Sequence, residues 1–469
     1  MAWPRKPIHT VHAVNARDHA RWGYAALAQL AWPIVLSRSA QAVIGFSDAL
    51  MTSSLGEDAL AATTAGSMNT LCLSILPTGT AYIVQSFASQ LSGKGDLSGA
   101  RRYGWYGLLL ALAAGVLFLG LLPAVRPVLE QLHYAPSVRH AMGDYMTIRL
   151  ASVAAIVGVE AIGNWYAGLG NTRFQMVASM VTMVCNVGLN WLLIEGHAGA
   201  PALGVEGAAW ASVLSTSVGF GILLVLFLTR TGVEAPAPAE GLGLKLGEFG
   251  RMLRFGAPNG FNWFLEFAAF MFFVNVVVAD LGTVATAALL ATVQVNSVSF
   301  MPAFGLSSAG AILVGQAIGS DERDAVPPIL RRTLSTTCAW QLSVGVLYLV
   351  FPGPIMSLFA PRDADTSSAA IVAVGATALA LSAAWQLFDA ITMSVSEALR
   401  AAGDTAFSLY ARLAVAWALF VPGSYLAIAI FDGGPEAAIL AVVAYLAVLA
   451  AIMGWRFRSG AWRRITLTE

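Results

Sequence analysis

Five carboxylates stand in stretches that are otherwise apolar: Asp48, Glu160, Glu266, Asp389 and Glu397. A charge at the centre of a bilayer costs about 2.5–3.5 kcal/mol even on a lenient scale, so an acid retained there is a functional candidate by default. The chemistry open to it is narrow. It can take up and release a proton, coordinate a cation, or pair with a buried arginine. Asp48 has no cation near it on its own helix, because Arg38 is ten residues, about 15 Å, away. Asn186 and Asn190 are four residues apart and share one helical face. Two amide carbonyls and one carboxylate make an oxygen cage suited to sodium, and the carboxylate alone suits a proton. The same asparagines also suit interhelical hydrogen bonding. Glu266 and Asp389 form a second candidate group. Glu266 is about 20 Å, and Asp389 about 16 Å, from the ends of their spans on one side of the membrane. Matched depth would let them share a proton or a cation, or each could pair with an arginine instead.

The remaining polar groups are less distinctive. Glu397 lies three residues before Arg400, a spacing for a local ion pair. Glu160 and Asn164 are one turn apart, in reach of each other or of a substrate. Trp263, Phe264 and Trp385 flank Glu266 and Asp389 in sequence. They are candidates for an apolar cavity that takes planar cations through cation–π contact, or for plain packing.

These residues sit in a chain of 469 residues, 57% hydrophobic and 11% charged. Soluble domains carry roughly 25% charged residues, so the reading is an all-α polytopic membrane protein. Apolar runs able to cross ~30 Å of hydrocarbon can be placed twelve times. They lie near 27–52, 59–92, 103–125, 143–168, 175–195, 204–229, 253–280, 286–318, 333–351, 368–399, 406–430 and 436–456. Of the 26 Lys and Arg residues, 20 fall on the side of the termini. Three (Arg126, Arg139, Arg362) fall opposite, and three (Arg38, Arg149, Arg412) lie within spans. That asymmetry places both termini in the cytoplasm. No cleaved leader is read at the front. The implied location is the plasma (inner) membrane.

The chain is also duplicated. Pro33, Leu55-Gly56, Pro77, Gln90, Gly93 and Arg101-Arg102 return as Pro258, Leu281-Gly282, Pro302, Gln316, Gly319 and Arg331-Arg332, about 226 positions on. Gly170-Asn171-Thr172 returns as Gly403-Asp404-Thr405. Six spans per repeat predict two pseudo-symmetric six-helix lobes about an axis along the membrane normal, as in secondary transporters. The expected layout is a tail over 1–26, a first lobe over 27–229, a linker over 230–252, a second lobe over 253–456 and a tail over 457–469. The matched prolines kink their helices, for packing or as hinges.

Several functions are excluded by absence. Cys72, Cys185 and Cys338 fit no disulfide framework or clustered metal site. His9, His12, His19, His133, His140 and His197 all fall in the tail or loops. No His-Glu-x-x-His or Gly-x-Ser-x-Gly motif is present, and Gly93-Lys94 is not part of a phosphate-binding loop. An enzyme, an ATP-driven pump or a nucleic-acid partner is not expected.

With these residues assembled, the chain resembles the multidrug and toxic compound extrusion (MATE) family, in its bacterial drug-exporter branch. The resemblance rests on Gly45-Phe46-Ser47-Asp48, on Asn186 and Asn190-Trp191, and on Gly204 through Gly207-Ala208-Ala209. It rests also on Pro258 with Phe264-Leu265-Glu266, and on Asp389 ahead of Arg400-Ala-Ala-Gly403-Asp404-Thr405. It implies a V-shaped pair of lobes and export of drug-like, usually cationic compounds by antiport against sodium or protons, with no cofactor. It implies a cation role for Asp48, Asn186 and Asn190 in the first lobe, with sodium as one candidate ion, and for Glu266 and Asp389 in the second. Some members carry an aspartate where this chain has Asn190, so here the first-lobe site rests on one acid. A lipid-linked precursor or polysaccharide flippase of the same superfamily is the alternative cargo class. The lipid bilayer and small molecules are the expected partners, and a monomer the expected state.

Overall fold

The computed structural model describes residues 21–131, 134–233, 243–278, 281–358, 366–431 and 433–468, with the side chains of 366–368 and 429–430 left aside. The tail before Arg21, His133, Arg362 and positions 234–242 of the expected linker lie outside the described residues.

Twelve spans account for the described chain. They are α1 (Tyr24–Thr52), α2 (Glu57–Lys94), α3 (Leu97–Leu129), α4, α5 (Thr172–Ile194) and α6 (Gly204–Leu228), then α7 (Leu246–Val278), α8 (Thr283–Gly319), α9 (Val326–Val350), α10 (Thr366–Ala402), α11 (Thr405–Ile428) and α12 (Pro435–Arg458). Ten of them are long and apolar enough to cross a membrane by length and composition. The eleventh, α4, is two helices, Pro136–Ala151 and Val153–Gly168, bent by 46° at Ser152. Ser152 ends the first by donating its hydroxyl and amide to the carbonyl of Arg149. The expected span over 143–168 ran through this break. Polar α1, with Arg38, Gln41 and Asp48, is the twelfth. Helix α7 begins at Leu246, inside the stretch expected to be linker.

Helices α1–α6 and α7–α12 pack as two bundles. The bundles meet through α1 on α8 and α2 on α7, α8 and α10. This contact is built twice by the duplicated sequence. A Cβ at Gly93 would lie 2.1 Å from the Gln316 carbonyl oxygen, and one at Gly319 would lie 1.9 Å from that of Gln90. Only glycine lets the two helices approach so closely at both places. Nearby, Gln90 donates to the Ala401 carbonyl at 2.7 Å, Tyr82 meets Ser308 at 3.0 Å, and Arg400 donates to Ser86 at 2.9 Å. These contacts cluster toward the end of the bundles where α1 begins and α12 finishes.

The duplication is reciprocal in the core as well. Leu27, Ala31 and Ile34 at the start of α1 belong to the core of the second lobe. Met252 at the start of α7 belongs to that of the first. Pro33, Pro77, Pro258 and Pro302 all lie inside helices.

Candidate functional site

Each lobe holds a cavity, the first closed in part by Trp263 of α7 from the other lobe. In the first, Asp48 of α1 faces Asn186 and Asn190 of α5 and Ser212 of α6. Asn190 Nδ2 donates to Asp48 Oδ1 at 2.5 Å and to Asn186 Oδ1 at 3.2 Å. The Ser212 hydroxyl donates to Asp48 Oδ2 at 3.2 Å and accepts from Asn186 Nδ2 at 3.3 Å. Both asparagines are fully buried, and Asn190 Oδ1 has no hydrogen-bond partner. An unpaired buried carbonyl oxygen beside a carboxylate is an arrangement that accepts a hard cation, which binds through oxygen. Among the described residues no Lys or Arg lies within ion-pair distance of Asp48.

Further in, Arg38 grips Glu160 with both ends of its guanidinium, at 3.0 and 3.2 Å. Asn164 donates to the same carboxylate at 2.9 Å. Glu160 lines the cavity, but its charge is neutralised, and Asn164 is buried behind it. Of the pair considered as substrate contacts, then, neither offers a free charge. The cavity measures about 480 Å³ and is rich in hydroxyls, including Ser67, Thr70, Ser74 and Thr182.

The second cavity is about 580 Å³ and mostly apolar, with Phe267, Phe270, Phe273, Phe300, Trp385 and Phe420 in its wall. Glu266 and Asp389 both line it. Of the two readings open for this pair, the structure brings both acids to one cavity and gives Glu266 an arginine. Arg412 of α11 forms an ion pair with Glu266 and also reaches Ser396 at 3.5 Å. Asp389 accepts from Gln341 Nε2 at 3.2 Å. No hydrogen bond joins the two carboxyls among the described residues. A guanidinium is a better partner for a carboxylate than a second carboxylate, which repels it. Two π-helical segments, Phe273–Val278 and Val415–Phe420, border this cavity, and their Phe273 and Phe420 rings lie 5.1 Å apart.

The aromatic candidates divide. Trp385 lines the second cavity, as expected. Trp263 instead faces the first cavity and packs on Tyr82 at 5.1 Å, so it lies at the boundary of the lobes. Phe264 lines neither. It is two residues from Glu266, which turns it about 200° away on a helix. Glu397 pairs with Arg400 at 2.5 Å as its spacing suggested. Sequence reasoning missed Ser212, Gln341 and the placement of Arg149. The first two carry no signal beyond being polar in an apolar span.

Duplicated bundles, each with a cavity holding an acid that no described Lys or Arg meets within ion-pair distance, have the layout of a membrane carrier. The MatE family model matches residues 33–192 and 258–426, one segment in each lobe, and the chain belongs to that family. It is 27% identical over 390 residues to a probable multidrug resistance protein NorM of Thermotoga maritima, covering 80% of each chain. It is 28% identical over 440 residues to one from Neisseria meningitidis serogroup A, covering 92% of each. Among solved structures it shares the fold of a MOP superfamily transporter from Pyrococcus furiosus, with a TM-score of 0.86 at 20% identity, covering 94% of this chain and 96% of that one. A multidrug resistance MATE family transporter solved in an outward-facing conformation gives the same TM-score and identity, covering 95% and 98%.

Proposed function

We propose that this chain exports organic, drug-like cations by antiport against protons or sodium, through alternating access of the two lobes. The observation that carries the reading is Asp389. Among the described residues no Lys or Arg lies within ion-pair distance of it, and it faces an aromatic cavity large enough for a small molecule. Such a wall takes a planar lipophilic cation, and the carboxylate supplies its counter-charge. The names of the relatives, multidrug resistance proteins, support the same cargo.

Asp48 is the coupling acid of this proposal. Its carboxylate and the unpaired oxygen of Asn190 suit an incoming cation, while Asn186 and Ser212 hold the geometry. Neutralising Asp48 lowers the cost of moving α1 against α5 and α6. The glycine contacts that clamp the lobes on the terminal side correspond to an outward-facing state if the termini are cytoplasmic, as the basic residues suggest. The protein then works as a monomer in the inner membrane.

The test places purified protein in liposomes and follows a fluorescent organic cation under imposed gradients. Dye movement driven by sodium alone assigns the Asp48 cage to sodium. Movement driven by protons with sodium absent assigns the carboxylates to proton carriage. No movement under either gradient sinks the drug-export reading and brings a lipid-linked precursor forward as cargo.

A further inference from the structure

Arg251 and Arg254, near the start of α7, line a recess of about 490 Å³ at the junction of the lobes. Its wall also holds Asp404 and Thr405 at the start of α11, and Ile465 and Thr466 of the C-terminal segment. Among the described residues neither arginine lies within ion-pair distance of a carboxylate. Asp404 is already held by Arg456 of α12, at 2.7 and 3.3 Å. Arg251 also borders a neighbouring recess with Asp96, Tyr103 and Glu248. There Glu248 is held by Arg102 at 2.9 and 3.1 Å, Asp96 caps α3 through the Gly99 amide at 2.7 Å, and Tyr103 brings a phenol. Two guanidiniums three residues apart are neighbours on one helix face and repel each other.

The same recess contains an unused donor. Thr405 is 3% exposed, and its hydroxyl is buried with no hydrogen-bond partner. Asp404 precedes α11 but leaves its first turn without a side-chain cap. A buried hydroxyl and an uncapped helix start both call for an acceptor. The first lobe supplies an internal control. A Cβ at Gly170 would lie 3.9 Å from Leu30, and one at Gly403 would lie 3.6 Å from Phe255, so the two places correspond. At the offset of 225 that relates Pro33 to Pro258, Arg251 and Arg254 answer to Ala26 and Gln29. The shared scaffold therefore does not require these two charges. A general excess of basic residues on this side of the membrane does not explain their convergence on a recess with an unpaired hydroxyl.

We propose that this recess binds the phosphate group of an anion. Arg251 and Arg254 supply the counter-charge through charge-assisted N–H donation. The Thr405 hydroxyl and the first amides of α11 add donors of the kind that hold phosphate at a helix N-terminus. Arg254 is exposed and Arg251 half-buried, so the recess is open to its ligand. A soluble phosphate and the headgroup of an anionic phospholipid share this chemistry. The position gives the site a consequence. Trp462 packs in the core of the second lobe and Leu467 in that of the first, so Ile465 and Thr466 belong to a stretch of chain tied to both. An anion held beside that stretch favours the present arrangement of the lobes, by as much as it prefers this arrangement to another. The site is separate from both cavities and does not rest on the export reading.

Thermal unfolding of the full-length protein in phosphate-free detergent, at constant ionic strength, tests this. Inorganic phosphate, a short-chain phosphatidic acid and a short-chain phosphatidylcholine are titrated in turn, the last as a headgroup without net charge. A saturable rise in unfolding temperature is expected with phosphate or phosphatidic acid, and none with phosphatidylcholine. A rise with inorganic phosphate assigns a soluble ligand, and a rise with phosphatidic acid alone assigns a lipid headgroup. Replacing both arginines, Arg251→Gln with Arg254→Gln, should raise the half-saturating concentration roughly tenfold or more, as loss of charge-assisted contacts does. Thr405→Val should raise it by a few fold. Arg331→Gln removes an exposed charge from α9 and should leave it within about twofold. Arg254 is exposed, so Arg254→Gln alone carries the comparison if the double variant does not fold. No saturable rise with either anion overturns the proposal. So does an equal loss in Arg331→Gln, which would mean that the anion responds to overall charge and not to the recess.

Discussion

The two lobes share one helical plan and differ in what they enclose. The first cavity is lined by hydroxyls, two arginines and two acids. The second is walled by phenylalanine and tryptophan, with Glu266 already paired and Asp389 facing the aromatic surface. Gene duplication preserved the positions where backbone meets backbone, as the reciprocal Gly93–Gln316 and Gly319–Gln90 contacts show. It did not preserve the lining. With offsets of 225 at Pro33–Pro258 and 226 at Leu55–Leu281, the position equivalent to Asp48 is Phe273 or Val274 and that of Glu266 is Gln41 or Ala40, none of them an acid. A shared scaffold therefore carries two different chemistries, one suited to small ions and polar groups and the other to greasy cations.

The sharpest way to break this contrast is to remove each free acid in turn. Asp389→Asn should weaken equilibrium binding of a lipophilic dye cation by about 30-fold to 1,000-fold, the range seen when a buried charge pair loses one partner. Asp48→Asn should leave that binding nearly intact and abolish gradient-driven efflux in liposomes. If the two phenotypes exchange, the roles assigned to the lobes exchange with them.

The ion pairs sharpen the comparison next. Glu160→Leu leaves Arg38, 9% exposed, buried without a partner, and should cost about 3–5 kcal/mol of stability in thermal unfolding of the detergent-purified protein. Glu266→Leu should cost clearly less, because the Glu266 side chain is 40% exposed and its pair is partly screened. Equal losses would show that the second cavity is as dry as the first.

Smaller effects come from the walls. Trp385→Ala should weaken a planar cation by about tenfold, near the upper value of one cation–π contact, whereas Trp263→Ala should leave it within about twofold, because Trp263 faces the other cavity. Gln341→Leu removes the one side-chain hydrogen bond that Asp389 accepts among the described residues. It should shift dye affinity by a few fold at most, the scale of a single hydrogen bond, as read in the same polarisation assay.

Much of the architecture was legible in the chain. Span number, the internal repeat and the segregation of basic residues depend on composition and spacing over twenty to thirty positions, and each adds up locally. The Glu397–Arg400 pair was legible for the same reason, since one helical turn joins them. The site was legible in type and not in pairing. Asp48 and Asp389 stood out as acids in apolar spans, but Glu160 and Glu266 stood out equally. Nothing along the chain distinguishes the acids that are neutralised from those that are not. Trp263 and Phe264 were grouped with Glu266 by proximity in sequence, and helical rotation separated all three.

By itself, the sequence determined that this protein lives in a membrane, in two like halves, with a few ionisable groups placed where only function or pairing would keep them. Tertiary structure alone decided which of those groups remain free. Arg38 meets Glu160 across 122 residues, Arg412 meets Glu266 across 146, and Asn190 meets Asp48 across 142. A charge at that depth is stabilised by whatever lies within a few ångströms, and packing of separate helices, not order along the chain, sets that neighbourhood.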